Sequence, residues 1–525
     1  MRGTLPTHVD VVVIGAGLGG LCAAALLAKS GLSVCVIEKE PNPGGCLAGF
    51  ERRGYKFDTA IHWLNACGPK GYVTQLWRYL AVDPPLTTPL TRIRRFKGES
   101  FDYLLTTEPL QLCEQLMAAY PTEAKGIARF FADARAFAQN LQICSSRVRA
   151  PATMGMAERL GELMRRAYWG LPFFRLSQVS AQQGLSRYFR DAELQGIWCS
   201  EDDFLSILVP LAWAFLKDYQ APPVGGSVAF VHWLMTACRA LQVPVALGTS
   251  VSQVLLHKGA AVGVQLHDGT VIKAEAVVAS CDLATLYEQM LPDGAIPAAM
   301  RARLRAADLY DSCVNLSVGL DVPAESLGLG EELVTLTRGR ILSHQGPRGD
   351  PETTAITVLS PSVRDASLCS SGRGTLTCYL AAHISYAEHW HSDAGLGRGA
   401  AYRAFKQVYA EQVLARVERT LVPGLRSHVE LLDVATPLTY RRYTGNRDGT
   451  IMGTTPSFRN IRNHVADYKT PVRGLWLAGH WAEYGGGVPM VVRAAANASL
   501  LVLQEAGKTQ ALRALCAAVD NAAAL

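Results

Sequence analysis

Between Val11 and Ala28 the chain runs for eighteen residues without a charged side chain. Hydropathy alone would read this as a membrane span or the apolar part of a signal peptide. The glycines inside it argue for something else. Val9 to Ile14 reads as a buried strand, Gly15-Ala16-Gly17-Leu18-Gly19-Gly20 as a turn, and the Ala/Leu run after it as a helix ending at Gly31. A second strand, Ser33 to Ile37, closes on Glu38. This is G-x-G-x-x-G set between a strand and a helix, with an acid eighteen positions after Gly20. Gly15 permits the tight turn, Gly17 lets backbone approach a pyrophosphate, and Gly20 lets the helix pack on the sheet. The pyrophosphate would rest on the helix N-terminus and Glu38 would accept hydrogen bonds from the adenosine ribose. Leu18 in the loop and Lys39 beside the acid complete the contacts expected from this unit. A carboxylate at position 38 disfavours a 2′-phosphate, which leaves FAD or NAD ahead of NADP.

The rest of the composition fits an apolar, folded chain. Of 525 residues, 49% are hydrophobic and only 18% charged, which excludes a disordered or collagen-like protein. The net charge of +6 comes without a basic run, so no nucleic acid is expected as a partner. Thirteen scattered cysteines with no C-x-x-C pair indicate neither a disulfide framework nor a zinc site, and point to a reducing, cytoplasmic location. His383, His389 and His391 lack an acidic or cysteine partner at a ligating spacing, so no metal is expected.

A second glycine turn follows the acid, Pro41-Asn42-Pro43-Gly44-Gly45-Cys46, and then a hairpin strand through Gly54-Tyr55-Lys56-Phe57-Asp58-Thr59-Ala60-Ile61-His62-Trp63. Here the chain resembles the FAD-dependent family of phytoene desaturases, carotenoid isomerases and retinol saturases, within the larger amine-oxidase-like group of flavoproteins. The resemblance implies that Gly44 and Gly45 lie near the FAD phosphates and that His62 reaches the flavin ring. Cys46 stands where many desaturases carry Arg, which is closer to the saturase and isomerase branches and removes one phosphate contact.

The chain order then implies a doubly visited α/β fold. A Rossmann-type FAD-binding domain is expected from residues 1–80, 225–290 and 430–525, with an inserted α+β substrate domain from 81–224 and 291–429. Leu80 to Tyr219 reads as mostly helical, without sheet alternation. Within it Arg147, Arg149, Arg165, Arg166 and Arg175 surround Tyr168, Trp169, Phe173 and Phe174, a pattern that suits either a membrane interface or a core-covering helix pair. Phe204 to Leu216 is too short to span a bilayer and reads as a buried helix lining an apolar tunnel. Short strands at Pro244 to Leu247, Val251 to Leu256, Val262 to Leu266 and Val271 to Ala279 match the family's three-stranded element, where Val251 would hold adenine through its backbone. Runs at Cys313 to Leu320, Ala355 to Leu359 and Thr375 to Ala382 read as a sheet walling the substrate cavity. Gly395 to Gly399 imitates a nucleotide loop but follows no strand, so it reads as a loop before a helix from Ala400 to Leu421.

Near the C-terminus, Gly474 to Gly479 reads as a strand ending in glycine, and Gly485-Gly486-Gly487-Val488-Pro489 opens a long apolar helix. The resemblance puts Gly479, His480, Gly487 and Val488 against FAD, with the helix dipole at the ring edge that gains charge on reduction. His480 replaces the acid usual in related flavoproteins. No second nucleotide loop for NAD(P)H is visible, so oxygen, a quinone or a protein would exchange electrons with the flavin.

The function this implies is oxidoreduction at C–C or C=C bonds of a lipophilic polyene, by desaturation, saturation or cis-trans isomerisation. Glu483, Tyr484 and His62 are the candidate catalytic residues, with Trp63 close by. An amine oxidase and a non-catalytic prenyl-binding escort protein share the fold and stay as alternatives. The first lacks a clear lysine near the ring, and the second has no need of the intact Gly15, Gly17, Gly20 and Glu38 set.

Overall fold

The computed structural model describes residues 5–80, 83–145, 147–176, 178–198, 200, 203–337 and 348–524. Its first strand, His8–Ile14, is the centre of a seven-stranded sheet. Val34–Ile37 and Val245–Ala246 extend the sheet on one side in parallel, and Val271–Ala279 pairs on the other side, also in parallel. The long strand Val271–Ala279 is shared along its length. Its first half pairs antiparallel with Ala260–Leu266, which pairs with Val251–His257, and its second half pairs parallel with Leu475–Leu477. Parallel strands buried on both faces need apolar residues at every position, and His8–Ile14 is buried from Val11 onward without alternation.

The helix Leu18–Lys29 is buried along most of its circumference because Val228–Ala240 and Gly487–Glu505 pack on it. That burial explains an eighteen-residue run with no charge. Gly487–Glu505 is the one helix among the described residues long and apolar enough to cross a membrane, and 67% of its most apolar window is buried in the protein. It is a core helix of this sheet.

A second seven-stranded sheet has the order Val429–Ala435, Ser312–Leu320, Gly374–Ala382, Ile356–Leu359, Leu333–Leu336, Arg92–Lys97, Asp102–Thr106. Two expectations change here. The stretch after Leu80 is not free of strands, because Arg92–Lys97 and Asp102–Thr106 form a hairpin that joins Leu333–Leu336 in parallel. Four arginine or lysine side chains in Arg92–Lys97 hide its alternation from a hydropathy reading. Val429–Ala435, expected to begin the return to the nucleotide domain near 430, instead pairs with Ser312–Leu320. One face of this sheet, carrying Val314, Leu316, Val318, Leu376 and Val358, packs on the helix Ala400–Thr420.

The helices Pro109–Ala119, Ala124–Ser145 and Phe204–Phe215 build a third core around Phe130, Phe131, Trp198 and Phe204. Asp203 caps Phe204–Phe215 by accepting from the Ser206 N–H at 2.8 Å. The helical part is tied to the nucleotide sheet by Asn497, which accepts from Ala150 N–H at 2.7 Å and donates to the Val148 carbonyl at 2.9 Å.

Candidate functional site

The ends of the parallel strands converge on one place, as expected for a doubly wound sheet. Gly15 has φ +101° and an added Cβ would lie 2.9 Å from the Ser280 carbonyl oxygen, so turn and neighbouring strand both require glycine. Gly20 is needed for packing, since its Cβ would come within 1.9 Å of the Gly15 oxygen. Gly17 is different. Its φ is −71°, and a Cβ there would meet no protein atom within 4 Å. Neither backbone nor packing accounts for a glycine at 17, whereas a ligand approaching the open side does. The loop faces Gly44, whose N–H donates to the Ala16 carbonyl at 2.8 Å. An added Cβ on Gly45 would find nothing closer than Gly17 Cα at 3.5 Å.

Glu38 follows the second strand and accepts from Ala16 N–H at 2.7 Å and Glu40 N–H at 2.9 Å, one bond per oxygen. Each oxygen keeps a lone pair for a ribose hydroxyl. Thr249 N–H donates to the Glu38 carbonyl at 2.8 Å, which brings buried Val251 to the same end of the sheet. Leu18 is buried under the loop, and Lys39 turns away to the Arg442 carbonyl at 3.2 Å.

The C-terminal glycines reach the same loop. A Cβ on Gly19 would lie 2.8 Å from Gly479 Cα, so two segments 460 positions apart touch backbone to backbone. Gly485, Gly486 and Gly487 all have positive φ and lead into Gly487–Glu505. Neither this helix nor Leu18–Lys29 has a side-chain cap, so the N–H groups of two first turns are left for another partner. Val488 is buried at the helix start. His480 lies beside this turn with its Nε2 buried and without a hydrogen-bond partner, and burial pushes its pKa down to about 4. The open side of Gly17, two uncapped helix starts and the orphaned imidazole nitrogen fit a dinucleotide cofactor.

His62 stacks on Tyr379 at 4.7 Å, and Trp63 packs on Tyr219 at 5.0 Å. The segment is pinned by Leu64, which exchanges two 2.8 Å backbone bonds with Gln220. Burial, with the nearby Arg364 charge, lowers the His62 pKa to about 4, so the ring is neutral at pH 7. Asp58 accepts from the Ser227 N–H at 2.7 Å and hydroxyl at 2.6 Å, and burial raises its pKa to about 6.

The other two catalytic candidates are engaged elsewhere. Glu483 is ion-paired with Arg493 at 3.1 Å and accepts from the Tyr468 hydroxyl, with both charged side chains nearly buried. Tyr484 donates to the Asn460 carbonyl at 2.9 Å and accepts from Ala466 N–H at 3.3 Å. Both residues brace the turn before the last long helix. Arg493, Ser280, Tyr219 and Tyr379 join the site from positions that carry no motif, and only the fold reveals them. Outside the site, His383 Nδ1 contacts the Ser385 hydroxyl at 2.7 Å and His391 packs on Phe405. Gly399 is the N-cap of Ala400–Thr420, and a Cβ there would strike the Asp393 carboxylate.

A family model described as an NAD(P)-binding Rossmann-like domain matches residues 13–80, the strand, glycine loop, helix and hairpin built above. Three curated relatives align along nearly the whole chain. All-trans-retinol 13,14-reductase of Danio rerio is 24% identical over 90% of this chain and 83% of its own length. Prolycopene isomerase 1, chloroplastic, of an Oncidium hybrid cultivar is 24% identical over 91% and 81%, and phytoene desaturase (lycopene-forming) of Pantoea ananas is 24% identical over 94% and 99%. The chain is similar to all three along nearly its whole length. A putrescine oxidase variant superposes with a TM-score of 0.63 at 16% identity, covering 95% of this chain and all of that one, which is a likeness of fold.

Proposed function

We propose that this chain is an FAD-dependent oxidoreductase acting on the C–C or C=C bonds of a lipophilic polyene, by desaturation, saturation or cis-trans isomerisation. The observation that carries the reading is the contact of Gly19 with Gly479, which joins the N-terminal loop and the C-terminal glycine turn into one continuous cradle. When bound, FAD supplies a ring that accepts or gives up hydride. Gly17, Gly44, Gly45 and Glu38 would hold its phosphates and ribose, Val251 its adenine, and Gly479, His480, Gly487 and Val488 its ring end.

The chain's own groups do the rest. The uncapped start of Gly487–Glu505 favours negative charge at the ring edge, which raises the potential of a reduced ring. Neutral His62 carries a proton on one ring nitrogen and offers a lone pair on the other, and the Tyr379 stack fixes its plane. It therefore holds a proton beside the reacting bond, while Trp63, Tyr219 and Tyr379 exclude water. Glu483 and Arg493 position the glycine turn from behind.

The exchange with a greasy substrate takes place at a lipid surface. Supporting this, Met156–Leu176 exposes Met156 (90%), Leu160, Leu163, Met164, Tyr168 (72%) and Leu171 along a single stripe. The arginines act less than their number implies. Arg149 is buried in ion pairs with Glu158 and Asp520, and Arg165 pairs with Glu162, so neither snorkels outward. Arg147 and Arg175 stay available, Trp169 is half-buried, and the side chains of Arg166, Phe173 and Phe174 lie outside the described residues. Purified protein, denatured and chromatographed, should release FAD in stoichiometric amount. A colourless protein that takes up no flavin from added FAD would refute the reading.

A further inference from the structure

Three arginines stand close together on Arg92–Lys97, and two of them have carboxylates. Arg92 pairs with Glu332 at 2.9 Å and Arg95 with Asp102 at 2.5 Å. Arg94 has neither an ion pair nor a hydrogen bond among the described residues, although it is only 7% exposed and its Nε is fully enclosed. An unpaired guanidinium in the interior is costly, because its hydration is lost and nothing replaces it.

Arg94 pairs across the sheet with Leu333, and Phe96, on the same face, begins a row through Thr335, Thr357, Tyr379 and Asn315. That face is opposite to the one packed on Ala400–Thr420 and turns towards the helical part and the His62 segment. Along it Thr335 Oγ1 and Asn315 Oδ1 also lack partners. Tyr219, close enough for the Arg94 charge to act on its hydroxyl, is 1% exposed with that hydroxyl unbonded, and its ring lies against Trp63. Arg94 also lines, with Trp198 and Ser206, a gap of about 10 Å³ that has room for a single water at most. Of the groups around Arg94, the unbonded Tyr219 hydroxyl is the one that shares its need for a partner.

We infer that Arg94, with the Tyr219 hydroxyl, anchors a carboxylate at one end of the substrate, which is then an amphipathic polyene acid and not a hydrocarbon. A planar guanidinium matches a carboxylate through two parallel hydrogen bonds, and the phenol adds a third donor. The aromatic residues from Trp63 to Tyr379 then lead the polyene from this anchor to His62. Arg364 is also enclosed, but Asp58, Asp365 and Glu331 act on its charge, so it does not call for an acidic ligand.

The inference rests on the polyene oxidoreductase reading, and the test separates the two. Flavin-loaded protein is titrated with all-trans-retinoic acid and all-trans-retinol, which share a polyene and differ at its end, following the flavin spectrum and tryptophan quenching. The acid should bind about tenfold or more tightly than the alcohol. Arg94→Met should remove that preference, leave the affinity for the alcohol unchanged, and raise the thermal midpoint of ligand-free protein by relieving the unpaired charge. Arg94→Gln serves where Arg94→Met does not fold, with the same loss of preference. Equal affinity for both probes, or an unchanged preference in the variant, overturns the anchor alone. Flavin-loaded protein that binds neither probe overturns the anchor and the polyene reading together.

Discussion

Replacing Gly17 by Ala separates a ligand-imposed glycine from one imposed by packing. The added methyl meets no protein atom within 4 Å and φ is −71°, so the folded apoprotein has no clash to absorb. The unfolded chain loses freedom, which stabilises by about 0.4–1 kcal/mol. Alanine is a poorer residue than glycine before a helix, which costs about 0.5–1 kcal/mol. The two nearly cancel, and the unfolding free energy of the apoprotein should stay within about 0.5 kcal/mol of the parent. Cofactor binding should not, because the methyl enters the space left for the pyrophosphate. An overpacking cost of about 1–3 kcal/mol weakens FAD roughly 5- to 150-fold. Gly20→Ala is the control, since its methyl would sit 1.9 Å from the Gly15 oxygen and should destabilise apoprotein and holoprotein alike by about 2–3 kcal/mol or more. Urea unfolding of apoprotein and FAD titration by flavin fluorescence quenching read the two effects separately. If Gly17→Ala destabilised the apoprotein as Gly20→Ala does while FAD affinity held, the assignment of Gly17 to the cofactor would be wrong.

Glu483→Gln leaves Arg493 as a nearly buried, uncompensated charge and should cost about 3 kcal/mol in urea unfolding; lost turnover with full stability would instead make Glu483 an acid or base. The apoprotein should lose stability as pH falls from 6.5 to 4, on the order of 3 kcal/mol for each of His62 and His480, because their folded values near 4 leave the unfolded chain to take up protons first. Asp58, raised to about 6, opposes this between pH 6 and 3.8, so His480→Asn should flatten the net decline measured by thermal unfolding; an unaltered slope would contradict the buried neutral ring. Met156→Asp combined with Leu160→Asp and Met164→Asp should abolish co-flotation with anionic liposomes while flavin content is kept, whereas undiminished flotation would remove this stripe as the lipid contact.

The nucleotide unit was legible because its chemistry is local. Gly15 to Glu38 carries strand, turn, helix and acid in register, and the structure arranges them as the spacing demands. The same holds for the strands from Val251 to Ala279 and for the helix after the triple glycine. Arg92–Lys97, in a stretch that reads as mostly helical, was illegible because a strand edged by ion pairs shows no apolar alternation until Glu332 and Asp102 are seen beside it. The boundary near 430 slipped for a related reason, since Val429–Ala435 takes its place from a partner strand more than a hundred residues earlier. Among the catalytic candidates, Glu483 and Tyr484 carry partners that proximity to the last glycines does not reveal. Their side chains are claimed by Arg493 and Asn460, contacts that no local pattern records. The hairpin strand expected through Trp63 ends at Phe57, and His62 lies in the irregular segment beyond it, where its ring stacks on Tyr379.

The central claim is redox or isomerase chemistry on a polyene at a bound flavin, and product analysis tests it most directly. Oxidised and chemically reduced holoprotein are each incubated without oxygen with retinoids and carotenoids, free acids included, and the recovered polyene is weighed by mass spectrometry and resolved chromatographically. The account predicts a polyene lighter by two hydrogens with oxidised protein, heavier by two with reduced protein, or an isomer of equal mass. Polyenes returned unchanged from both incubations, by protein that holds its full complement of FAD, would contradict it.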